Sequence, residues 1–307
     1  MSIPLLTGET ALVRGDNDTF ASYFEGDDDC FNSFFYSDIE FNVYGNIMSL
    51  LYNDDFLNEY EISEFAFRNL FFDIYNGYWT GDDLNQCFLV NAKDLILPAT
   101  TLANYCYDSM FSGCTSLTTA PELLPATTLA NYCYNYMFNG CTSLTEAPEL
   151  PATTLANYCY NYMFNGCTSL TEAPELPATT LAQNCYNYMF NECTSLTTAP
   201  ELPATTLANY CYDSMFYYCT SLTTAPELPA TTLAYYCYGH MFANTNVLPD
   251  CSNIDFTSQT IINSGGLNGL FARTKVTDND LRNILPINPT TNNYYLPVNT
   301  LADNCYY

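Results

Sequence analysis

Between Asp94 and Ala272 the chain contains no lysine and no arginine. Over all 307 residues there are 6 basic side chains against 33 acidic ones, and the formal net charge is −27. A surface of that sign repels phosphate backbones and anionic headgroups, so nucleic acid and anionic membrane surfaces are poor partners. Histidine is nearly missing too, with His240 the single example. Long apolar runs are also lacking: nothing approaches the roughly 20 residues of a membrane-spanning helix. The N-terminal "MSIPLLTGETALVRG" lacks the basic and apolar regions of a secretory signal. These absences predict no membrane insertion and no cleavable export signal. A protein acting outside the cell, or carried on a virion, would then be made in the cytoplasm and released by a non-classical route.

What the chain does have is a repeat. Apolar residues make up 48% of it, enough to bury a core. A Cys-Tyr pair recurs at Cys106, Cys133, Cys159, Cys185, Cys211 and Cys237; the first interval is 27 residues, lengthened by Leu123-Leu124, and the other four are 26. Self-similarity at such a period is the signature of a solenoid, in which each circuit adds one supersecondary unit.

Within "LPATTLANYCYNYMFNGCTSLTEAPE" (150–175) the pattern predicts a short helix followed by an extended leg. Leu155, Ala156, Cys159, Met163 and Cys167 share one face at 3.6 residues per turn, with Asn157, Asn161 and Asn165 opposite. Thr153 or Thr154 is placed to cap the helix, and Asn165-Gly166 to end it. Phe164 does not fit the inward face and is expected to pack sideways on the neighbouring repeat. "SLTEA" predicts a short strand with Leu170 and Ala173 inward, limited by Pro148 and Pro174, which cannot donate to a ladder. "PELP" then links to the next unit as a polyproline-like segment.

Degenerate copies flank the six clean ones. "ISEFAFRNLFF" (62–72) has Ala66 for the cysteine and Leu70-Phe71 for Met-Phe; "MFANTNV" at Met241 is echoed by "LFARTKV" at Leu270. "LPVNTLADNCYY", at the end of the sequence, is the opening half of another unit. The expected organisation is a β-rich N-terminal cap over 1–45 and a solenoid over 46–307. The solenoid divides into a degenerate repeat at 46–96, clean repeats at 97–249 and degenerate repeats at 250–307, the last of them incomplete.

The "MFxxCTSLT…LP" register resembles the BspA-like leucine-rich repeats of bacterial surface proteins. "YGNIMSLLY" (44–52), together with the repeat, is similar to repeat proteins of gut Bacteroidota and their phages. The resemblance covers about residues 44–307. It implies an α/β right-handed leucine-rich-repeat solenoid, one short strand and one short helix per circuit, used for adhesion or recognition and without enzymatic activity. Two departures stand out: the usual secretion signal is missing, and the strand position normally Ile or Leu is alanine (Ala120, Ala147, Ala173, Ala199, Ala225).

The paired cysteines are the first candidates for chemistry. Eight-residue spacing does not suit a thiolate metal site. A helix would also hold Cys159 and Cys167 more than about 10 Å apart, beyond disulfide reach. Cys106, Cys114, Cys133, Cys141, Cys159, Cys167, Cys185, Cys193, Cys211, Cys219 and Cys237 are therefore expected as stacked rows of small buried residues. His240 sits at a variable, outward position without the partners that catalysis needs. The acidic stretches "GDNDTF" (15–20) and "EGDDDC" (25–30) lack EF-hand spacing and read as solvated turns. No catalytic residue, metal or cofactor is expected.

The letters that change between copies are the outward pairs before the first cysteine and before methionine: Tyr, Asn, Ser, Asp, Gly and His. Drift on a surface explains them; so does a recognition surface, since Tyr, Ser, Gly and Asn give contact area and adaptable hydrogen bonds. The second reading predicts a ridge of Tyr132, Tyr158, Tyr210 and Tyr236, with Tyr136, Tyr162 and Tyr188 beside it and Asn157 and Asn161 among them. It would bind a host-surface protein or glycan multivalently. The alternative is a structural protein in which the open C-terminal half-repeat docks on the next chain, forming a head-to-tail homo-oligomer or filament.

Overall fold

The computed structural model describes residues 39–71 and 87–247, together with 21–22, 31–32, 35 and 37. The acidic turns, most of the expected cap and the copies at 250–307 lie outside the described residues.

Each clean repeat makes one circuit of a repeat solenoid, and successive circuits are joined by backbone hydrogen bonds between equivalent positions. The half of each circuit expected as a helix is not helical. Residues 130–141 form five overlapping β-turns, with the N–H groups of Cys133, Asn135, Met137, Asn139 and Cys141 each donating to the carbonyl three residues earlier. The intervening N–H groups, of Tyr132, Tyr134, Tyr136, Phe138 and Gly140, donate to the carbonyls of Asn157, Cys159, Asn161, Met163 and Asn165 in the next circuit, at 2.7–3.1 Å. Every second N–H thus closes a turn and every other one ties two circuits together. An α-helix would spend all of them internally.

The cause lies in a period of four rather than 3.6. Tyr132, Tyr136 and Gly140 have φ of 57°, 53° and 73°, and equivalent residues repeat this along the array. Between them lie pairs of buried residues: Cys133 and Tyr134, then Met137 and Phe138, then Cys141. Two in and two out suits alternating turns, whereas on a helix Tyr134 and Phe138 would lie about 100° off the face of Cys133 and Met137. Among the described residues, seventeen non-glycine residues hold positive φ. Each costs roughly 1–2 kcal/mol, so the ribbon persists only because its inter-circuit bonds and packing offset that cost.

The core is a set of columns. Phe71, Phe111, Phe138, Phe164, Phe190, Phe216 and Phe242 stack at 5.1–5.8 Å. Phe164 therefore does pack on its neighbours, but in the interior rather than beside it. Phe67, Tyr107, Tyr134, Tyr160, Tyr186, Tyr212 and Tyr238 form a second column at 5.6–5.8 Å. Each such pair is worth about 0.5–1.5 kcal/mol beyond the area it buries. The degenerate copy joins in the register read from sequence: Phe67 and Phe71 donate to the carbonyls of Cys106 and Met110.

The extended leg is sparser. The strand expected at "SLTEA" is reduced to single parallel bridges, such as Thr119 with Glu146, Glu172 with Thr198 and Thr198 with Thr224. Proline two residues past these bridges supplies no donor and ends the ladder. Thr154, placed by sequence at a helix cap, instead bridges Thr128. Among the described residues, strands of two residues or more fall between 21 and 96. Ala21–Ser22 (β1) pairs antiparallel with Phe31–Asn32 (β2). Phe41–Asn42 (β3) and Gly45–Asn46 (β4) pair in parallel with Leu89–Asn91 (β5) and Leu95–Ile96 (β6). A single helical turn, Ser49–Tyr52 (α1), buries Leu50 and Leu51.

Candidate functional site

The left-handed positions of the ribbon place two tyrosine columns on the outside of the solenoid. Tyr105, Tyr132 and Tyr158 stack at 4.6 Å between successive centroids, nearly parallel. Burial and the flanking Tyr105 and Tyr158 rings raise the Tyr132 phenol above its usual range. Four residues on, Tyr136, Tyr162 and Tyr188 stack at 4.7 and 4.5 Å. All six rings are half-buried, because each covers its neighbour's face and leaves edges and hydroxyls outward. The Arg68 guanidinium lies 5.7 and 5.8 Å from the Phe65 and Tyr105 ring centroids, over the N-terminal end of the first column. Tyr210 and Tyr236 continue that column at 5.4 Å. Between Tyr158 and Tyr210 the column position is Asn184, with φ of 54°, so the row is broken there.

The asparagines do something other than line a ridge. Asn161 was expected outward but is buried, as are Asn135 and Asn187. These residues depart from the two-in, two-out alternation and turn under the columns. Asn161 donates from Nδ2 to Asn135 Oδ1 at 2.9 Å, and Asn135 donates to Asp108 Oδ1 at 2.8 Å. At the other end Asn187 donates to Asp213 Oδ2 at 3.1 Å. The row reads Arg68, Asp108, Asn135, Asn161, Asn187, Asp213, Gly239, one residue per circuit; its bonds run toward the aspartate at each end and stop between Asn161, whose Oδ1 is buried without a partner, and Asn187. Arg68 Nε meets Asp108 Oδ2 at 2.8 Å. Burial raises the Asp108 carboxyl above its usual range, with Arg68 opposing the shift. Glycine closes the row for a steric reason: a Cβ at 239 would stand 2.5 Å from Asp213 Oδ1. The letters Asp, Asn and Gly that vary between copies are thus a ladder with charged ends. Its signal in the sequence was the placement of Asp only at the second and last-but-one rungs. His240, 41% exposed at its side chain, has Nδ1 3.8 Å from Asp213 Oδ1.

Asn157 is exposed, yet its side chain is also used structurally: Oδ1 accepts the Gln183 N–H at 3.1 Å. Asn104, Asn131 and Asn209 do the same for Asn131, Asn157 and Tyr235.

The eleven cysteines from Cys106 to Cys237 are free and buried in rows. The second member of each pair points its thiol at a carbonyl in the preceding circuit: Cys141, Cys167, Cys193 and Cys219 lie 3.0–3.2 Å from the oxygens of Phe111, Phe138, Phe164 and Phe190. Burial pushes the Cys159 and Cys237 thiols up to about 12, and the other rows upward as well. Cys87, not singled out from sequence, is half-buried; a hydrogen bond with the Cys114 thiol lowers it. Among the described residues no group of three or more His, Cys, Asp or Glu side chains is placed to hold a metal ion.

No protein-family model matches the sequence. No curated protein matches it either. One solved structure that overlays on the chain is a Treponema pallidum leucine-rich repeat protein, TpLRR. It is 19% identical, with 64% of this chain and 80% of that one covered and a TM-score of 0.35. An overlay that loose assigns no function, and the solenoid rests instead on the chain's own circuit-to-circuit hydrogen bonds and stacked columns.

Proposed function

We propose that the protein is a non-enzymatic recognition scaffold that binds a protein or glycan of a host cell surface through its outer tyrosine columns. The carrying observation is the pair of columns at one-circuit spacing, held by backbone in which aromatic residues are otherwise unfavourable. Rows of identical edges and hydroxyls suit a ligand that itself repeats, and many weak contacts then add as avidity. The strong negative charge favours a neutral or cationic partner. The BspA-like type of repeat, right-handed winding, and a place on a virion or bacterial surface belong to this reading.

The test uses the full chain and intact gut Bacteroidota cells. Asparagine already occupies a column position at Asn184 with the same backbone, so Tyr132→Asn, Tyr136→Asn and Tyr162→Asn together preserve the fold. The triple variant is expected to lose cell binding at least tenfold while its circular dichroism is unchanged. Undiminished binding would reject the columns as the contact surface.

A further inference from the structure

The break in the first tyrosine column has the geometry of a site. Tyr158 lies parallel to Tyr132, 5° between planes, so its other face looks toward the next circuit. Tyr210 stacks on Tyr236 and likewise turns its free face back toward the same circuit. What stands between them is Asn184, whose side chain ends well short of a phenol ring. Two circuits separate the two rings, about 9.5 Å at the usual spacing of parallel chains.

Two further features of that circuit bear on the gap. Asn184 Oδ1 is covered and receives no hydrogen bond, a state that costs about 1–3 kcal/mol when uncompensated. Beside it, Gln183 replaces the asparagine that in other circuits accepts the following N–H. One methylene longer and exposed, it makes no such bond, which leaves its amide available at the mouth of the gap.

We propose that this gap is a binding slot for one neutral pyranose ring of a glycan, sandwiched between Tyr158 and Tyr210 with its hydroxyls on the amides of Asn184 and Gln183. This rests on the recognition reading above and narrows it to one ligand class and one place. A saturated ring touching an aromatic face on each side needs two contacts of about 4–4.5 Å, which two circuit spacings of about 4.8 Å accommodate. The C–H faces of a sugar meet the two phenol faces, while its rim carries the donors that Asn184 lacks. Terminal amide torsions are broad, so the Asn184 amide can turn to present its oxygen to a hydroxyl. An aromatic side chain from a protein partner would fill the same space but leave both amides unmatched. The negative surface disfavours uronic and sialic acids.

The deciding variant is Asn184→Tyr, which restores the residue that the other clean circuits carry at φ of 51–58° and closes the column. It is expected to fold with equal or higher melting temperature. The probes are neutral oligosaccharides built from glucose, mannose, galactose and N-acetylglucosamine, titrated calorimetrically into the full chain, with saturation-transfer NMR to map the contacting ring. At least one is expected to bind the wild type and to bind Asn184→Tyr at least twentyfold more weakly. Gln183→Ala should weaken it three- to tenfold. Equal affinity for Asn184→Tyr overturns the slot, and so does the absence of any binding by these sugars at millimolar concentration. Binding of a tryptophan peptide in place of sugars, also lost in Asn184→Tyr, overturns the sugar assignment. Cell binding that survives Asn184→Tyr but falls in the three-tyrosine variant removes the slot and leaves the columns standing; survival in both removes the two together.

Discussion

The two halves of each circuit are built on opposite principles. On the turn side, residues such as 132–140 send five N–H groups to the next circuit, and nearly every inward atom belongs to a continuous column. On the extended side, circuits meet through isolated bridges, and Thr171, Glu172, Glu175 and Thr179 are exposed. Sequence variation follows this contrast only in part. Inward turn-side letters are fixed by their columns, but some variable letters, Asp108 and Asp213 among them, are fixed by the ladder beneath the tyrosines. A change from copy to copy on the turn side is thus a change in one rung of a stack, whose effect passes to the circuits above and below. On the extended side it stays local.

The largest expected break is alkaline. The Cys159 and Cys237 thiols are pushed up to about 12 by burial, against about 8.5 in an unfolded chain. Between those values the folded state keeps protons that the unfolded state has lost. Stability is therefore full below about pH 8.5 and falls as pH rises toward 12, by about 1.4 kcal/mol per thiol per pH unit. With many such rows, cooperative unfolding is expected near pH 10, followed by far-UV circular dichroism. Retention of structure at pH 11 would contradict columns of buried thiols. At pH 8, a thiol reagent should modify Cys87 well before any cysteine from Cys106 to Cys237, read by peptide mass.

Phe164→Ala comes next. It removes a buried ring from the middle of a column and should cost about 3–5 kcal/mol in urea unfolding. Thr171→Ala, exposed on the extended side, should stay within about 0.5 kcal/mol. Comparable losses would erase the difference between the two sides. Asn161→Ala takes the donor from Asn135 Oδ1 and should cost about 1–3 kcal/mol; a neutral result would place Asn161 at the surface, as its helical phase suggested.

The smallest effect has the most informative sign. Glu192 has φ of 60° at the position where Gly140 and Gly166 stand in their circuits. In the turn ribbon, Glu192→Gly should raise stability by up to about 1 kcal/mol by removing left-handed strain. In a helix the same change would lower it by about as much.

Several features were legible in the residues themselves. The 26-residue period located the circuits, Ala66 and Leu70 set the register of the degenerate copy, and the absence of cysteine partners placed the thiols inside. The helix was misread because Cys159, Met163 and Cys167 fit a 3.6 period nearly as well as a period of four. The misfit lay in Tyr160 and Phe164, which are buried beside them. For the site, the tyrosines were readable as a surface feature. Their pairing into two columns, the break at Asn184 and the burial of Asn161 depend on which residue of the next circuit lies alongside.

By itself the sequence determined that this chain stacks: identical units one circuit apart put like on like, and apolar letters recurring in the same places have nowhere to go but a shared core. Only the tertiary structure decided how each unit is folded. A backbone of left-handed tyrosines is unfavourable in isolation and becomes stable when the next circuit supplies carbonyls for its N–H groups and rings for its faces.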